Sequence, residues 1–422
     1  MYGFNFILSA FKYESTVKKI HSQNIKAVQL ITARFHYNNW MFKDLGIEPF
    51  KNCPENRCFA FRSSNLLHLP EESADAVVVH APNLWYTPSK NYKRKPKQLW
   101  MYYTMEPQRL SHCSSHYQLA DLDNWFNLTA TFKKDSDIVL DYKTFRNWSQ
   151  IEHESIFVNE YKARRQKKNL IQAIQDLSSK SKKASVVWFV SHCETNSKRE
   201  DYVKELMKYV NVDVFGKCSK NFHHTENKEP CNASPDGDCF KKFMNGYKFR
   251  LAFENSLCTD YITEKFWSMY NPEFIFDVHS VPIVRGARDY QYKKDVPFEN
   301  FYLNTQNFKS PKELADYLNY LDANQTAYLE FFKWKVDLFK KIEENLKNFK
   351  ISKALKRWPE SFLLKEPFCK LCEYLHNDEY LNNYAQNRRW KLSEWFDSSK
   401  DCWDENENYF KMKAVNLIGF CI

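Results

Sequence analysis

Apolar residues gather in short runs bounded by polar or turn-forming residues: AVVVH (76–80), LWMYYT (99–104), SVVWFVS (185–191), VNVDVF (210–215), FRLAF (249–253) and VPIV (281–284). Runs of this length, rich in β-branched and aromatic residues, predict buried strands. Between the third and fourth runs, Val203, Leu206, Met207 and Val210 recur at i, i+3, i+4 and i+7, the apolar face of a helix. A strand–helix–strand unit implies a parallel sheet in the second half, and so an α/β fold. The charged stretch YKARRQKKNLIQAIQDLSSKSKKAS (161–185) lacks apolar blocks at its ends and reads as the crossing between two domains. A solvated helix face explains its basic run better than nucleic acid does, because no aromatics interleave with the charges.

The run FRLAF leads into Glu254, Asn255 and Ser256, which places polar groups at the carboxyl end of a central strand, where open α/β sheets bind ligands. A helix is expected to start between Asp260 and Thr263. Ile262, Phe266 and Met269 would then pack on one face, and Tyr261, Glu264 and Lys265 would share another. A lysine in a first helical turn opposes the helix dipole unless an anion is present, and Arg199 repeats the pattern at the start of the 199–210 helix. The two cations read as a diphosphate clamp, with Glu264 or Glu254 accepting from sugar hydroxyls. The plainer alternative is ion pairing, in which Glu254 and Glu264 neutralise nearby cations.

Composition narrows the choices. A chain of 422 residues exceeds one ordinary core, and 43% hydrophobic residues suffice for packed ones. The net charge of +10 suits an anionic ligand, nucleic acid or an anionic membrane surface, without choosing among them. Only 7 glycines occur, where average usage would give roughly thirty. Neither G-x-G-x-x-G nor a Walker A loop is found, so a phosphate must be held by side chains and helix ends. Twelve cysteines include the close pair Cys53 and Cys58 and a C-x-x-C at Cys369 and Cys372. Zinc ligation by these four would need a gap unlike ordinary ribbon spacings. Sequons at Asn127, Asn147, Asn232 and Asn324 are glycosylation candidates and favour a secretory setting with disulfides. No segment is apolar enough to span a bilayer, and FNFILSAF near the start is short for a signal core.

The stretch YKFRLAFENSLCTDYITEKFW (247–267) resembles the signature of the α1,3-fucosyltransferases of glycosyltransferase family 10, which transfer fucose from GDP-fucose. WFVSHCETNSKREDYVKELMKYVNVDVFGKC (188–218), SVPIVRGARDY (280–290), NFKSPKELADYLNYLDANQTAYLEFFKWK (307–335) and FCKLCEYLH (368–376) are similar to the family's other segments. LWMYYTMEP (99–107) and NLTATFKKDSDI (127–138) resemble its acceptor-side half. The resemblance runs from about Cys53 to His376. It implies a GT-B architecture, two Rossmann-like domains facing a central cleft. The divisions expected are 1–165 on the acceptor side, 166–350 for GDP-fucose, and a 351–422 extension packing back on the first domain.

By position, Arg199 and Lys265 match the family's phosphate contacts, while Tyr261, Glu264 and Asn255 match its nucleotide and fucose contacts. Glu106 matches its catalytic carboxylate. The implied chemistry is inverting transfer to a glycan hydroxyl, the 3-OH of GlcNAc, with Glu106 as general base. The cysteines Cys53, Cys58, Cys369 and Cys372 match family positions that imply two disulfides joining the distant pairs. The expected partners are a nucleotide sugar and an oligosaccharide or glycoprotein acceptor, with no nucleic acid. No metal or other cofactor is obligatory, although Mn²⁺ stimulation fits the expectation. The setting implied is the Golgi lumen, with the membrane reached only through an N-terminal anchor that this sequence does not display.

Departures from the family pattern are a long 268–279 connection containing Pro272, Arg285 where an apolar residue is usual, and LDYKTF (140–145). Two other readings stay open. DSD (135–137) and DGD (236–238) match the D-x-D pattern of metal-dependent glycosyltransferases, and a non-catalytic relative that binds glycan or nucleotide sugar could keep the same fold.

Overall fold

The computed structural model describes residues 24–31, 46–63, 74–84, 94–111, 117–140, 142, 155–165, 172, 174, 185–222, 246–270, 272–288, 291–292, 300–348, 361–385 and 387–403. Asn147, Asn232 and the DGD at 236–238 lie outside them. The chain forms two compact units. The first combines the stretch up to 141 with 358–401, and the second begins at 142.

In the first unit, six parallel strands form one sheet in the order β2-β1-β3-β4-β5-β6. They are β1 (Lys26–Ile31), β2 (Cys58–Ser63), β3 (Ala76–His80), β4 (Leu99–Thr104), β5 (Leu128–Thr131) and β6 (Ile138–Val139). All six residues of β4 are buried. Strands covered on both faces read as continuous apolar runs, which is why β3 and β4 are visible in the sequence. The buried Gln29 within β1, and a charge near the end of β2, hide those two.

The helix Ser361–Leu375 packs on this unit, with Phe368 edge-on to Phe50 and Leu371 in the same core as Val28 and Met101. Disulfides join Cys53 to Cys369 and Cys58 to Cys372 across 316 and 314 residues. The described part of the 351–422 extension therefore returns to the first unit from Ser361 through Asp401, whereas Cys402 and Trp403 belong to the second.

Asn127 is not available to a glycan here. It is 2% exposed, its Oδ1 accepts from the Trp100 N–H at 2.7 Å, and its Nδ2 donates to the Gln98 carbonyl. The carboxamide bridges the start of β4 and the residue before β5. Asn324 lies at the surface, where its Oδ1 caps the following helix by accepting from the Ala327 N–H.

In the second unit, five parallel strands take the order β11-β10-β9-β7-β8. They are β7 (Ser185–Phe189), β8 (Asn211–Phe215), β9 (Phe249–Phe253), β10 (Val281–Arg285) and β11 (Leu303–Asn304), so FRLAF is the central strand. The helix Arg199–Leu206 connects β7 to β8 and buries Val203 and Leu206. Gly216, after β8, has φ +97°, and a Cβ there would meet the Val190 carbonyl oxygen at 2.5 Å, so only glycine fits.

One expectation changes in this unit. The division falls at 142 rather than 165, because the helix Ser155–Arg165 packs here: Tyr161 is buried against Phe276 and Phe339, and Arg164 pairs with Asp277. Within the long 268–279 connection the helix Glu264–Trp267 passes into a single 3-10 turn, Ser268–Tyr270, and does not run on through Pro272. Pro272 opens a new helix, Pro272–Asp277, in the first position, where its missing N–H costs nothing. Phe274, Ile275 and Phe276 enter the core, and the buried Lys335 ammonium donates to the Phe274 and Val278 carbonyls.

No helix among the described residues is long and apolar enough to cross a membrane.

The two long-range disulfides are unequal in their effect. The first to close constrains a loop of over 300 residues, nominally about 6 kcal/mol, whereas the second then closes a ring of roughly ten, about 2–3 kcal/mol. Removing either bridge by paired Cys→Ala substitution should therefore cost much less than removing both, as measured by chemical denaturation. Non-reducing peptide mapping should recover Cys53 with Cys369; a Cys369–Cys372 bridge would overturn the pairing.

Candidate active site

The carboxyl ends of β7, β9 and β10 carry a dense set of buried polar residues: Ser197, Arg199, Glu200, Glu254, Asn255, Ser256, Thr263 and Arg285 are each at most 7% exposed. Such groups persist in a core only when hydrogen-bonded or when they serve a ligand.

Glu254 is the centre of the set. It has no exposed surface, and its Oε1 accepts from the Thr263 N–H at 2.8 Å. Thr263 Oγ1 lies 2.8 Å from its Oε2, and the Lys265 ammonium pairs with that oxygen at 3.2 Å. Burial pushes the carboxyl above its usual range, against the opposing charge of Lys265. A Cβ on Gly286 would meet Glu254 Cγ at 2.7 Å, so the glycine leaves room for this side chain.

These bonds relocate the helix start. The helix is Glu264–Trp267, capped by the Thr263 side chain, and Asp260 takes a left-handed φ of +63°. Tyr261 therefore precedes the helix. It is fully buried, edge-on to Tyr142, and does not share a helical face with Glu264 and Lys265. Lys265 Nζ donates to Thr263 Oγ1 at 2.9 Å and to Glu264 Oε1 at 3.0 Å. The side chain remains 29% exposed, so the ion-pair alternative describes its present contacts, while an anion could still approach.

Arg199 departs further from expectation. It is 3% exposed; Nη1 donates to the Phe253 carbonyl at 2.7 Å, Nη2 to the His192 carbonyl at 2.8 Å, and Nε to Glu200 Oε1. Its fork fastens the ends of β7 and β9 together, leaving two of five N–H groups for anything else. Arg285, the unusual residue at the end of β10, is buried over the Tyr202 ring and donates to the Ser197 carbonyl at 3.0 Å. Ser197 in turn bonds the Glu254 carbonyl through its hydroxyl and the Asn255 carbonyl through its N–H. Ser256 Oγ is buried with no hydrogen-bond partner among the described residues.

His192 follows β7 and was not singled out by sequence. Burial, then the charge of Arg199, holds its imidazole below the usual histidine range, with Lys265 adding to the effect. Both cations thus reach one half-buried ring. The signal available in sequence was slight, a histidine soon after an apolar run.

In the first unit, Glu106 lies two residues beyond β4 and is half-buried. A ring of hydrogen bonds fixes its backbone. The Glu106 N–H donates to Thr104 Oγ1 at 3.1 Å, Thr104 and Ser111 share a hydroxyl contact of 2.7 Å, and Ser111 Oγ donates to the Glu106 carbonyl at 2.8 Å. Thr104 and Ser111 are both buried. A side chain on so restrained a backbone suits proton transfer, which demands a fixed distance to the reacting hydroxyl.

The DSD at 135–137 is structural. Asp137 Oδ2 accepts from the Thr129 N–H at 2.8 Å and the Trp390 indole N–H at 2.9 Å, and Oδ1 pairs with Arg388. Asp135 accepts from the Trp395 indole N–H at 2.8 Å. Cys58, Cys372 and His376 cluster within ligand distance, but the two sulfurs are bonded to each other and offer no thiolate.

The state of His192 sets a pH dependence. Unfolded, it gains a proton near pH 6.5, whereas the folded imidazole resists until lower pH, so stability should fall as pH drops below about 6.5. His192→Gln should flatten this acid-side slope in denaturation midpoints measured between pH 7.5 and 5. An unchanged slope would remove His192 as its source.

Comparison with known proteins adds the family. Residues 179–391 match the profile "Glycosyltransferase family 10 (fucosyltransferase) C-term", and residues 24–143 match "Fucosyltransferase, N-terminal". The chain is 32% identical to Drosophila melanogaster glycoprotein 3-alpha-L-fucosyltransferase A over 319 residues, covering 75% of this chain and 51% of that one. It is 33% identical to human 4-galactosyl-N-acetylglucosaminide 3-alpha-L-fucosyltransferase over 309 residues, 72% of this chain and 68% of the relative. The chain thus spans about half of the fly protein and two thirds of the human one. Among solved structures, an alpha1,3-fucosyltransferase with GDP-fucose aligns with a TM-score of 0.43 and 16% identity, over 84% of this chain and 91% of that one. With profiles covering both units and relatives this similar, the chain belongs to glycosyltransferase family 10, the fucosyltransferases.

Proposed function

We propose that this protein is an inverting fucosyltransferase that moves L-fucose from GDP-fucose to a hydroxyl of a glycan acceptor, the 3-OH of GlcNAc. The observation that carries the reading is the buried polar set around Glu254 at the strand ends of the second unit, on the segment that bears the family signature. Lys265, with exposed surface remaining, is assigned to the diphosphate. Asn255, Glu264 and the unpartnered Ser256 hydroxyl are assigned to hydroxyls of ribose or fucose.

In the reaction, Glu106 takes the proton of the acceptor hydroxyl as its oxygen bonds to the anomeric carbon of fucose. The bond from that carbon to the phosphate oxygen breaks, and GDP leaves with the electron pair from the opposite face. The Lys265 ammonium balances charge on the leaving diphosphate, so the reading requires no divalent ion, and Mn²⁺ would add to that stabilisation. The described disulfides fit an oxidising compartment, and we assign the protein to the Golgi lumen.

A non-catalytic relative that binds glycan is the second reading, favoured by one observation: Lys265 is already paired with two carboxylates. Release of GDP from labelled GDP-fucose in the presence of an N-glycan acceptor separates the two.

Three variants test the assignments. Lys265→Ala should weaken GDP binding at least about tenfold by calorimetry, the worth of a charge-assisted phosphate contact; unchanged affinity would return Lys265 to a purely structural role. Arg199→Ala should instead lower stability, by about 3 kcal/mol or more, because it strips the buried Phe253 carbonyl and the half-buried His192 carbonyl of a donor and leaves the buried Glu200 without its cation. Glu106→Gln keeps the shape but removes the proton acceptor. It should cut turnover by about 10²–10⁴-fold with donor binding nearly unchanged. Near-normal turnover would move the base elsewhere.

A further inference from the structure

The segment that follows Ser256 is fastened by residues beyond the family-matched region. That match ends at residue 391, yet Cys402 forms a disulfide with Cys258, inside the signature stretch. The two cysteines also pair as an isolated antiparallel bridge, and the Trp403 N–H donates to the Leu257 carbonyl at 2.9 Å. The Arg288 guanidinium lies over the Trp403 ring at 4.3 Å, which ties the loop after β10 to the same two residues. On the other side, Gln291 Nε2 donates to Asp260 Oδ1 at 2.7 Å. Leu257 and Cys258 are nearly fully buried beneath these contacts.

We propose that Cys402 and Trp403 are positioning residues of the donor site, holding the loop 255–263 in its ligand-competent form. The inference rests on the donor assignment above. The loop joins Glu254 to Thr263, so its path decides where Asn255, Ser256 and Lys265 stand. It also includes Asp260 in the left-handed region, a conformation disfavoured for a non-glycine residue and maintained only when the surroundings impose it. A covalent staple two residues upstream of Asp260, together with a backbone bond at Leu257, supplies that imposition. Without them the loop samples other conformations, and apparent affinity falls by the fraction of time it is competent.

The test replaces both cysteines, Cys258→Ala with Cys402→Ala, so that no lone thiol remains. Hydrogen exchange at 255–263 should accelerate without any ligand. GDP affinity by calorimetry should fall about tenfold, with the acceptor KM unchanged within about twofold. Trp403→Pro, which keeps the disulfide but removes both the N–H bonded to Leu257 and the ring under Arg288, should weaken GDP binding about threefold in the same direction, and it carries the test if the double variant does not fold. A purely stabilising disulfide would lower the unfolding midpoint and leave both exchange and GDP affinity as they were, which overturns the proposal. If the unaltered chain does not bind GDP, the donor assignment itself falls; if it binds and both variants bind equally well, only this inference does.

Discussion

A fully buried carboxylate at the end of the central strand governs the second unit. Removing an ion from water costs several kcal/mol, which only well-placed donors offset. Glu254 has the Thr263 N–H, the Thr263 hydroxyl and the Lys265 ammonium. Each of these fixes something else. Capturing the Thr263 N–H stops the chain from becoming helical earlier, so the helix opens at Glu264. Pairing with Lys265 sets a partly exposed cation beside the strand ends. Gly286 completes the arrangement by leaving the volume that the Glu254 side chain fills.

The same logic places the other charged residues. Arg199 and Arg285 are buried and directed at backbone carbonyls, which joins the segments after β7 and β9 to each other and to β10. Arginine suits this work because its planar fork serves several acceptors at once and keeps its charge. In the first unit, where no charge is needed, two hydroxyls close the ring around the backbone of Glu106. Both units therefore fix a polar side chain at the strand ends indirectly, through bonds to the main chain around it.

The strands β3, β4 and β7 to β10 were legible because parallel strands covered on both faces leave unbroken apolar runs. β1 and β2 were not, because Gln29 and Arg62 interrupt the pattern. The site was legible as a set of positions but not as contacts. Helical periodicity put Tyr261 beside Lys265, whereas a side-chain bond between Glu254 and Thr263, nine residues apart, decides the local backbone. Arg199 read as a free cation because sequence cannot show that two carbonyls and a carboxylate surround it. Nor could spacing reveal Cys193–Cys218 or Cys258–Cys402, since each depends on which loops share a sheet edge.

The scarcity of glycine connects these features. A glycine-rich phosphate loop reaches unusual backbone conformations at little steric cost. This chain has 7 glycines and places non-glycine residues in the left-handed region at Lys198, directly before the helix Arg199–Leu206, and at Asp260, four residues before the helix Glu264–Trp267. Each such residue costs about 1–2 kcal/mol, so something nearby must hold it. Beside Lys198 stand the Arg199 fork and the Ser197 bonds to Glu254 and Asn255; beside Asp260 stand Gln291 and the Cys258–Cys402 staple. A third restraint, Cys193–Cys218, joins the loops after β7 and β8 on the same edge. A backbone cradle obtains its shape from freedom. Here the shape of the strand ends comes from side chains and disulfides that remove freedom, and for that reason these residues concentrate there.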